Sequence, residues 1–380
     1  MKKFLLIPDS FKGTMSSDEI CSIMEKAILN NYNDANVISI PVADGGEGSV
    51  DAFLTAVGGE KVTVKVKGPF FEDMEAFYGI IDNGKTAVIE MAACAGLPLV
   101  ENRTDPAQTT TYGVGQLMID AVQRGCKKII MGLGGSCTND GGTGVAAALG
   151  VVFTNKNGSS FVPVGGTLKD IEHIDISKLL PALKEVEIIT MCDIDNPLFG
   201  ETGAAYIFGP QKGATPQMVK ELDEGLMHLA DKVNADLNLS ASSLKGAGAA
   251  GGMGYGMATF FGSALQMGIE TVLDTVKFNE LLKDADYVLS GEGKIDTQSI
   301  RGKVVMGIAR RTKKADIPLI AIVGDIGDGI EEAYEKGVTG IFSINRVAVE
   351  YKDAKKRAKQ DLYLTVDNLM RFIKRIDKCQ

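Results

Sequence analysis

Carboxylates and lysines recur in this chain directly after short apolar runs, inside loops crowded with glycine, and that placement makes them candidates for chemistry. Asp9, Ser10 and Lys12 follow the run 3–8; Asp44 and Glu47 follow 37–42; Asp193 and Asp195 follow 186–192; Glu292 and Asp296, with Arg301 and Lys303 beyond them, follow 287–290. The longest such loop runs Gly132-Leu133-Gly134-Gly135-Ser136-Cys137-Thr138-Asn139-Asp140-Gly141-Gly142-Thr143-Gly144, between an apolar run and a stretch of small residues. At a strand-to-helix turn of this kind the backbone N–H groups are free, and the absence of Cβ atoms lets a phosphate approach them closely. The same glycines equally suit a tight turn that packs a small-residue helix flat on a sheet. Two carboxylates after a strand, as at Asp193 and Asp195, suit Mg²⁺ or the acceptance of a hydroxyl proton, and they equally suit an Asx turn ahead of Pro197.

Other chemistries are excluded by what is missing. The chain has two histidines, His173 in a charged loop and His228 in an amphipathic stretch, so neither a Ser-His-Asp hydrolase nor a His-ligated metal enzyme is expected. Six cysteines at 21, 94, 126, 137, 192 and 379 form no Cys-x-x-Cys pair, which points to reduced thiols, and the apolar start is cut short by Pro8 and Asp9, so a cytoplasmic location is expected. A net charge of −9 disfavours a nucleic-acid partner, and no apolar stretch approaches the ~20 residues of a membrane span. Small molecules are the expected partners; self-association is left open. Gly-rich loops bearing lysines and carboxylates suit phosphoryl transfer, in which positioning and charge neutralisation supply most of the catalysis.

The elements that position these loops read as βα units at both ends of the chain. Residues 3–8 form a strand, Ser16-Ser17-Asp18-Glu19 a capping box opening a helix, and 37–42 a second strand before a helix that stops at Gly58-Gly59. From 286 onward the rhythm returns with strands at 287–290, 318–323 and 340–344. The rhythm breaks at Lys67-Gly68-Pro69, and from there to about Gly84 the residues alternate as in antiparallel strands, with Asp82-Asn83-Gly84 as a hairpin turn. Gly79 to Thr86 matches the P-loop pattern letter for letter, but it lies between two strands and is rejected as a P-loop. Gly246 to Gly251 contains Gly-x-Gly-x-x-Gly without a preceding strand and is rejected as a dinucleotide fingerprint; close backbone approach remains its expected use. The expected fold is α/β, a Rossmann-like parallel-sheet domain from residues 1–67 and 285–380 with a second mixed-sheet α/β domain, 68–284, inserted. Ligands gather beyond the carboxyl ends of parallel strands, so the two domains are expected to meet across a cleft lined by the Gly-rich loops.

Six motifs in order resemble the type 1 glycerate kinase family: Asp9-Ser10-Phe11-Lys12-Gly13-Thr14, Pro41 to Gly48, Gly132 to Gly142, Phe208-Gly209-Pro210-Gln211-Lys212-Gly213-Ala214, Gly246 to Gly252 and Ser290-Gly291-Glu292-Gly293. The resemblance implies an ATP- and Mg²⁺-dependent kinase of D-glycerate giving 2-phosphoglycerate; the alternatives are a kinase of another small hydroxy acid and a non-catalytic nucleotide- or acid-sensing module. On that reading the nucleotide is expected at Gly134, Gly135, Ser136, Thr138, Asn139 and Asp140 and at Gly291, Glu292 and Gly293. The substrate is expected at Asp9, Ser10, Lys12, Asp44 and Arg301, with Lys12 or Arg301 supplying charge for the carboxylate. Mg²⁺ is expected at Asp44 and Asp193, and the base is left open among Asp44, Asp193 and Asp296, with Asp193 or Asp296 favoured; Lys12, Asp193 and Asp296 are the catalytic candidates.

Overall fold

Leu5, Leu6 and Ile7 are wholly buried because the strand Lys3–Pro8 lies inside a sheet covered on both faces. The computed structural model describes residues 1–42, 45–297, 299 and 304–378, so Asp44 and Arg301 lie outside the described residues. Five parallel strands form this sheet, in the spatial order Val338–Ser343, Leu319–Val323, Tyr287–Gly291, Lys3–Pro8, Asn36–Ser39. Counted along the chain within this sheet, the order is the doubly wound 2-1-3-4-5, whose switch point falls between Lys3–Pro8 and Tyr287–Gly291. Helix Ser17–Asn31 opens on the expected capping box: Ser16 Oγ accepts from the Glu19 amide at 3.2 Å, and Glu19 Oε2 accepts from the Ser16 amide at 3.1 Å. It packs beside the long final helix Tyr351–Asp377, and Met24, Ile28, Leu362 and Met370 close one core with Phe4, Leu6 and Leu289.

A second sheet has six strands. Ala264–Gln266, Glu187–Met191, Lys128–Gly132 and Thr86–Glu90 run parallel, and Asp73–Ile81 and Glu60–Lys67 are added antiparallel at one edge. Its core includes Tyr78, Ile89, Leu117, Ile129 and Met131. The stretch that matches the P-loop pattern is the tight connection of an antiparallel hairpin, with Asp82, Asn83 and Gly84 at φ of 51°, 53° and 86°, so no helix N-terminus follows it. The glycines at 246–254 enter helix Ala249–Phe261 through left-handed residues, Ala250, Gly251 and Gly252, whose φ values are 52°, 67° and 88°.

The chain divides into two units, one of Met1–Ala43, Thr55–Val57 and Ile269–Gln380, the other of Asp44–Leu54 and Gly58–Gly268. These bounds differ from the expected 67/68 and 284/285. Glu60–Lys67 pairs along its whole length with Asp73–Ile81 and therefore belongs to the second sheet. Helix Gly268–Thr275 turns the other way: Ile269 is seated against Gly307, where an added Cβ would lie 2.7 Å from Ile269 Cγ2, and Glu270 pairs with Arg311 at 2.6 Å.

Candidate active-site loops

In the first unit the switch point brings two loops together. The Asp9 amide donates to the Gly291 carbonyl at 2.8 Å and Ser290 Oγ to the Ile7 carbonyl at 2.9 Å, so the two chain segments leave adjacent strands tied at their ends. Asp9 Oδ1 accepts from the Ser10 amide at 2.7 Å, fixing the turn that carries Lys12 outward, where it is exposed. A Cβ placed on Gly293 would stand 3.6 Å from Phe11 Cα and 3.7 Å from the Lys12 amide nitrogen, so the two loops run side by side. Glu292 is buried and accepts from Ser299 Oγ at 3.0 Å; Asp296 is half-buried and faces the Ser299 amide at 3.4 Å. A two-stranded sheet, Lys294–Ile295 with Asp325–Ile326, clamps the Glu292 loop to the next strand's loop. Asp9, Ser10, Lys12, Gly291, Glu292, Gly293 and Asp296 thus share one end of one sheet.

In the second unit Glu90, Gly132 and Met191 end three adjacent parallel strands, and the segment after Asp44 lies across them. The Gly134 amide donates to the Gly45 carbonyl at 2.9 Å, and a Cβ on Gly132 would come within 2.4 Å of that same carbonyl oxygen. Glu90, absent from the expected site residues, is 1% exposed and accepts from the amides of Gly48 at 2.8 Å and Val50 at 3.3 Å. Its carboxylate caps helix Ser49–Val57, which Gly48 at φ 89° cannot cap with a side chain. Burial raises the Glu90 carboxyl above the usual range, and the Val50 and Gly48 amides pull it back. In the sequence Glu90 reads only as the end of a buried strand.

The Gly132–Gly144 loop differs from the cradle of free amides that its glycines suggest. Asp140 is fully buried and its carboxylate accepts from the Thr111 amide and hydroxyl, both at 2.8 Å, from Gly142 at 3.1 Å and from Gly144 at 3.3 Å. The anion at the start of the short helix Thr143–Ala148 is therefore the protein's own, and its four bonds make Asp140 an anchor of the loop. Burial pushes this carboxyl up, against the pull of the four donors. Gly144 packs where a Cβ would lie 2.5 Å from Thr110 Oγ1, so the flat packing of a small-residue helix is also realised. The 246–252 glycines serve the same loop: a Cβ on Gly251 would sit 2.0 Å from the Thr138 carbonyl oxygen, and the Gly141 amide donates to the Gly251 carbonyl at 3.0 Å. Their close approach is to another stretch of backbone.

Ser136, Thr138 and Asn139 are brought together in this loop, and Lys212 joins them from the Gly209–Gly213 turn. Its Nζ donates to Ser136 Oγ and to the Thr138 carbonyl, each at 2.7 Å, while the residue is 2% exposed. Burial pulls this ammonium down to about 8, with Cys137 and Asp140 acting the other way. A lysine framed by Gly-Pro and Gly inside a recognisable motif was its only sequence signal. Asp193 is exposed after its strand and its Oδ1 accepts from the Gly268 amide at 2.8 Å. Among the described residues no three His, Cys, Asp or Glu side chains converge on a common point. The described residues thus form no all-protein metal cage; a Mg²⁺ ion in a kinase site does not need one, because it keeps several waters and takes one or two carboxylates besides substrate phosphates.

A 2-1-3-4-5 parallel sheet with a mixed-sheet α/β unit inserted, both carrying polar Gly-rich loops at their strand ends, defines the doubly wound α/β class. The chain belongs to the glycerate kinase family, a family of phosphotransferases, whose model matches residues 4–374. It is similar to a glycerate kinase from Halalkalibacterium halodurans, with 45% identity over 90% of this chain and 91% of that one. It is also similar to the glycerate 2-kinase of Escherichia coli K12, with 43% identity over 90% of both chains. The crystal structure of a provisionally assigned glycerate kinase 2 from Salmonella typhimurium LT2 superposes with a TM-score of 0.88 and 39% identity over 99% of each chain. No helix among the described residues is long and apolar enough to cross a membrane.

Proposed function

We propose that this chain transfers the γ-phosphoryl group of ATP to the 2-hydroxyl of D-glycerate. The observation that carries the reading is the 43% identity, over nine-tenths of both chains, to a relative named glycerate 2-kinase. The geometry supports it in kind: each unit offers buried or half-buried polar side chains at the carboxyl ends of parallel strands, as positioning and charge neutralisation require. In the first unit Lys12, exposed on its turn, suits the glycerate carboxylate, and Arg301 is kept as a second cation for it. Asp9 and Ser10 are kept as substrate contacts with them, and Asp44 with the substrate and the metal. Asp296 or Asp193 takes the hydroxyl proton as the oxygen attacks phosphorus. The nucleotide is held by Gly134, Gly135, Ser136, Thr138 and Asn139 and by Gly291, Glu292 and Gly293, with Asp140 stiffening the first loop from within. Asp44 and Asp193 would hold Mg²⁺, which would supply neutralisation of charge on the phosphate oxygens.

The test is an ADP-release assay on the full chain across D-glycerate, L-glycerate and other small hydroxy acids, with the product resolved by phosphorus NMR. D-glycerate is expected to give the fastest turnover, and 2-phosphoglycerate to be the product. Preference for another acid would replace the substrate, 3-phosphoglycerate would replace the position, and absence of ADP release with every acceptor would end the kinase reading.

A further inference from the structure

The loop at 134–140 has a cation beneath it whose presence its own folding does not explain. Lys212 is buried, and among the described residues it forms no ion pair; its two hydrogen bonds go to neutral oxygens, Ser136 Oγ and the Thr138 carbonyl. Asp140, whose charge it feels, spends its oxygens on Thr111, Gly142 and Gly144. A buried ammonium without a counter-charge is a poor stabilising device. As an ammonium it does fix a direction: it donates and cannot accept, so Ser136 Oγ is the acceptor in their bond and its hydroxyl hydrogen is left for another partner. In the same loop Thr138 Oγ1 and both amide atoms of Asn139 are buried without a hydrogen-bond partner among the described residues. Orphaned polar atoms of this kind are costly unless something supplies their bonds.

We propose that Lys212 makes this loop an oxyanion receptor, in which the hydroxyls of Ser136 and Thr138 and the amide of Asn139 donate to the oxygens of a nucleotide phosphate while the ammonium behind them supplies the opposing charge. Lys212 acts through Ser136 and is a positioning residue. A phosphate, with more oxygens and more charge than a carboxylate, matches this set of donors. The inference rests on the kinase reading and adds to it the part of the ligand that the loop receives. The charge also leaves a signature, because an anion arriving near Lys212 raises the affinity of its neutral amine for a proton. Burial depresses the ligand-free value to about 8, so binding at pH 8.5 is expected to draw in a fraction of a proton.

Titration calorimetry of the full chain with ADP, inorganic phosphate and D-glycerate, each in two buffers of different ionisation enthalpy at pH 8.5, tests this. Lys212→Met is expected to weaken ADP and phosphate by roughly ten- to hundredfold and to abolish the proton uptake, with D-glycerate unchanged. Ser136→Ala, which buries no new charge and serves if Lys212→Met folds poorly, is expected to weaken ADP by roughly tenfold. Lys212→Arg is expected to restore part of the affinity. Wild-type ADP affinity and proton uptake in both Lys212→Met and Ser136→Ala would reduce Lys212 to a loop strut and overturn the inference alone. Loss of D-glycerate binding with ADP binding intact overturns the phosphate assignment. A wild-type chain that binds no ADP overturns the kinase reading and the inference together.

Discussion

Replacing Asp140 tests whether the Gly132–Gly144 loop is held by an internal anion. The carboxylate accepts four bonds, from the Thr111 amide and hydroxyl at 2.8 Å and from the amides of Gly142 and Gly144 at 3.1 and 3.3 Å. Asp140→Ala leaves three buried amides and a buried hydroxyl without that acceptor. Each orphaned group costs about 1–3 kcal/mol, and since relaxation recovers part of it, about 4 kcal/mol is the expected destabilisation of the unit that contains it. Asp140→Asn keeps one acceptor oxygen but turns an NH₂ group toward donors, for an expected cost of about 2 kcal/mol. The chain has no tryptophan, so the transition is followed by far-UV circular dichroism. For a unit of this size about 4 kcal/mol lowers Tm by roughly 8–16 °C. If both variants melt within roughly 2 °C of wild type, the anchor account is wrong. If Asp140→Asn melts like wild type yet loses ADP affinity, Asp140 contacts the nucleotide after all.

Gly251→Ala puts a Cβ 2.0 Å from the Thr138 carbonyl oxygen at a φ of 67°, so it is expected to cost about 3 kcal/mol or more and to weaken ADP binding by displacing 138–139, read by melting and calorimetry. Asp193→Asn and Asp296→Asn are each assayed for turnover with melting as control. The true base is expected to lose roughly 10²–10⁴ in kcat with its fold intact, and near-wild-type rates in both would discard these two candidates. For Lys212 the folded value of about 8 lies below the ordinary 10.5, so between these values the unfolded chain binds more protons than the folded one. Wild-type stability relative to Lys212→Met is therefore expected to rise with pH from about 8 to about 10.5, by about 3 kcal/mol in full, and a flat difference across that window would show the ammonium to be unperturbed.

The alternation of apolar and glycine-rich stretches was enough to reveal an α/β chain with a parallel sheet at its ends, because buried parallel strands and the caps of their helices are local patterns. The capping box at Ser16–Glu19 and the hairpin at Asp82–Gly84 are local in the same sense, which is also why the sequence alone argues against the P-loop match. What stayed hidden depends on partners distant in sequence. Glu90 and the Gly48 amide are 42 residues apart, and Lys212 and Ser136 are 76 apart. Nothing local marks a strand-ending glutamate as a helix cap or a lysine as buried. The edge of the insertion depends on distance in the same way: Glu60–Lys67 falls inside the expected segment 1–67, yet it pairs along its length with Asp73–Ile81 of the second sheet.

Glycine-rich loops at strand ends invite the inference that every missing Cβ makes room for a ligand, and this chain separates two uses of the same residue. Gly132, Gly134 and Gly251 are glycines because backbone passes within a Cβ's reach of them, at 2.4, 2.4 and 2.0 Å. Their role is to stack one loop on another so tightly that the polar side chains between them, Ser136, Thr138 and Asn139, are held in place. Gly135 differs: at φ 75° its nearest neighbour to an added Cβ is the Ala92 methyl at 3.5 Å, so only its backbone angle demands glycine. A ligand approaching backbone needs open space beyond the glycine, and by that criterion Gly135 is the position of the three motif glycines 132, 134 and 135 where a phosphate could come close. Gly135→Ala is then expected to impair ADP binding more than its modest strain impairs melting, whereas Gly134→Ala is expected to impair both together. Equal damage to binding and melting in the two variants would show that the loop's glycines serve packing alone.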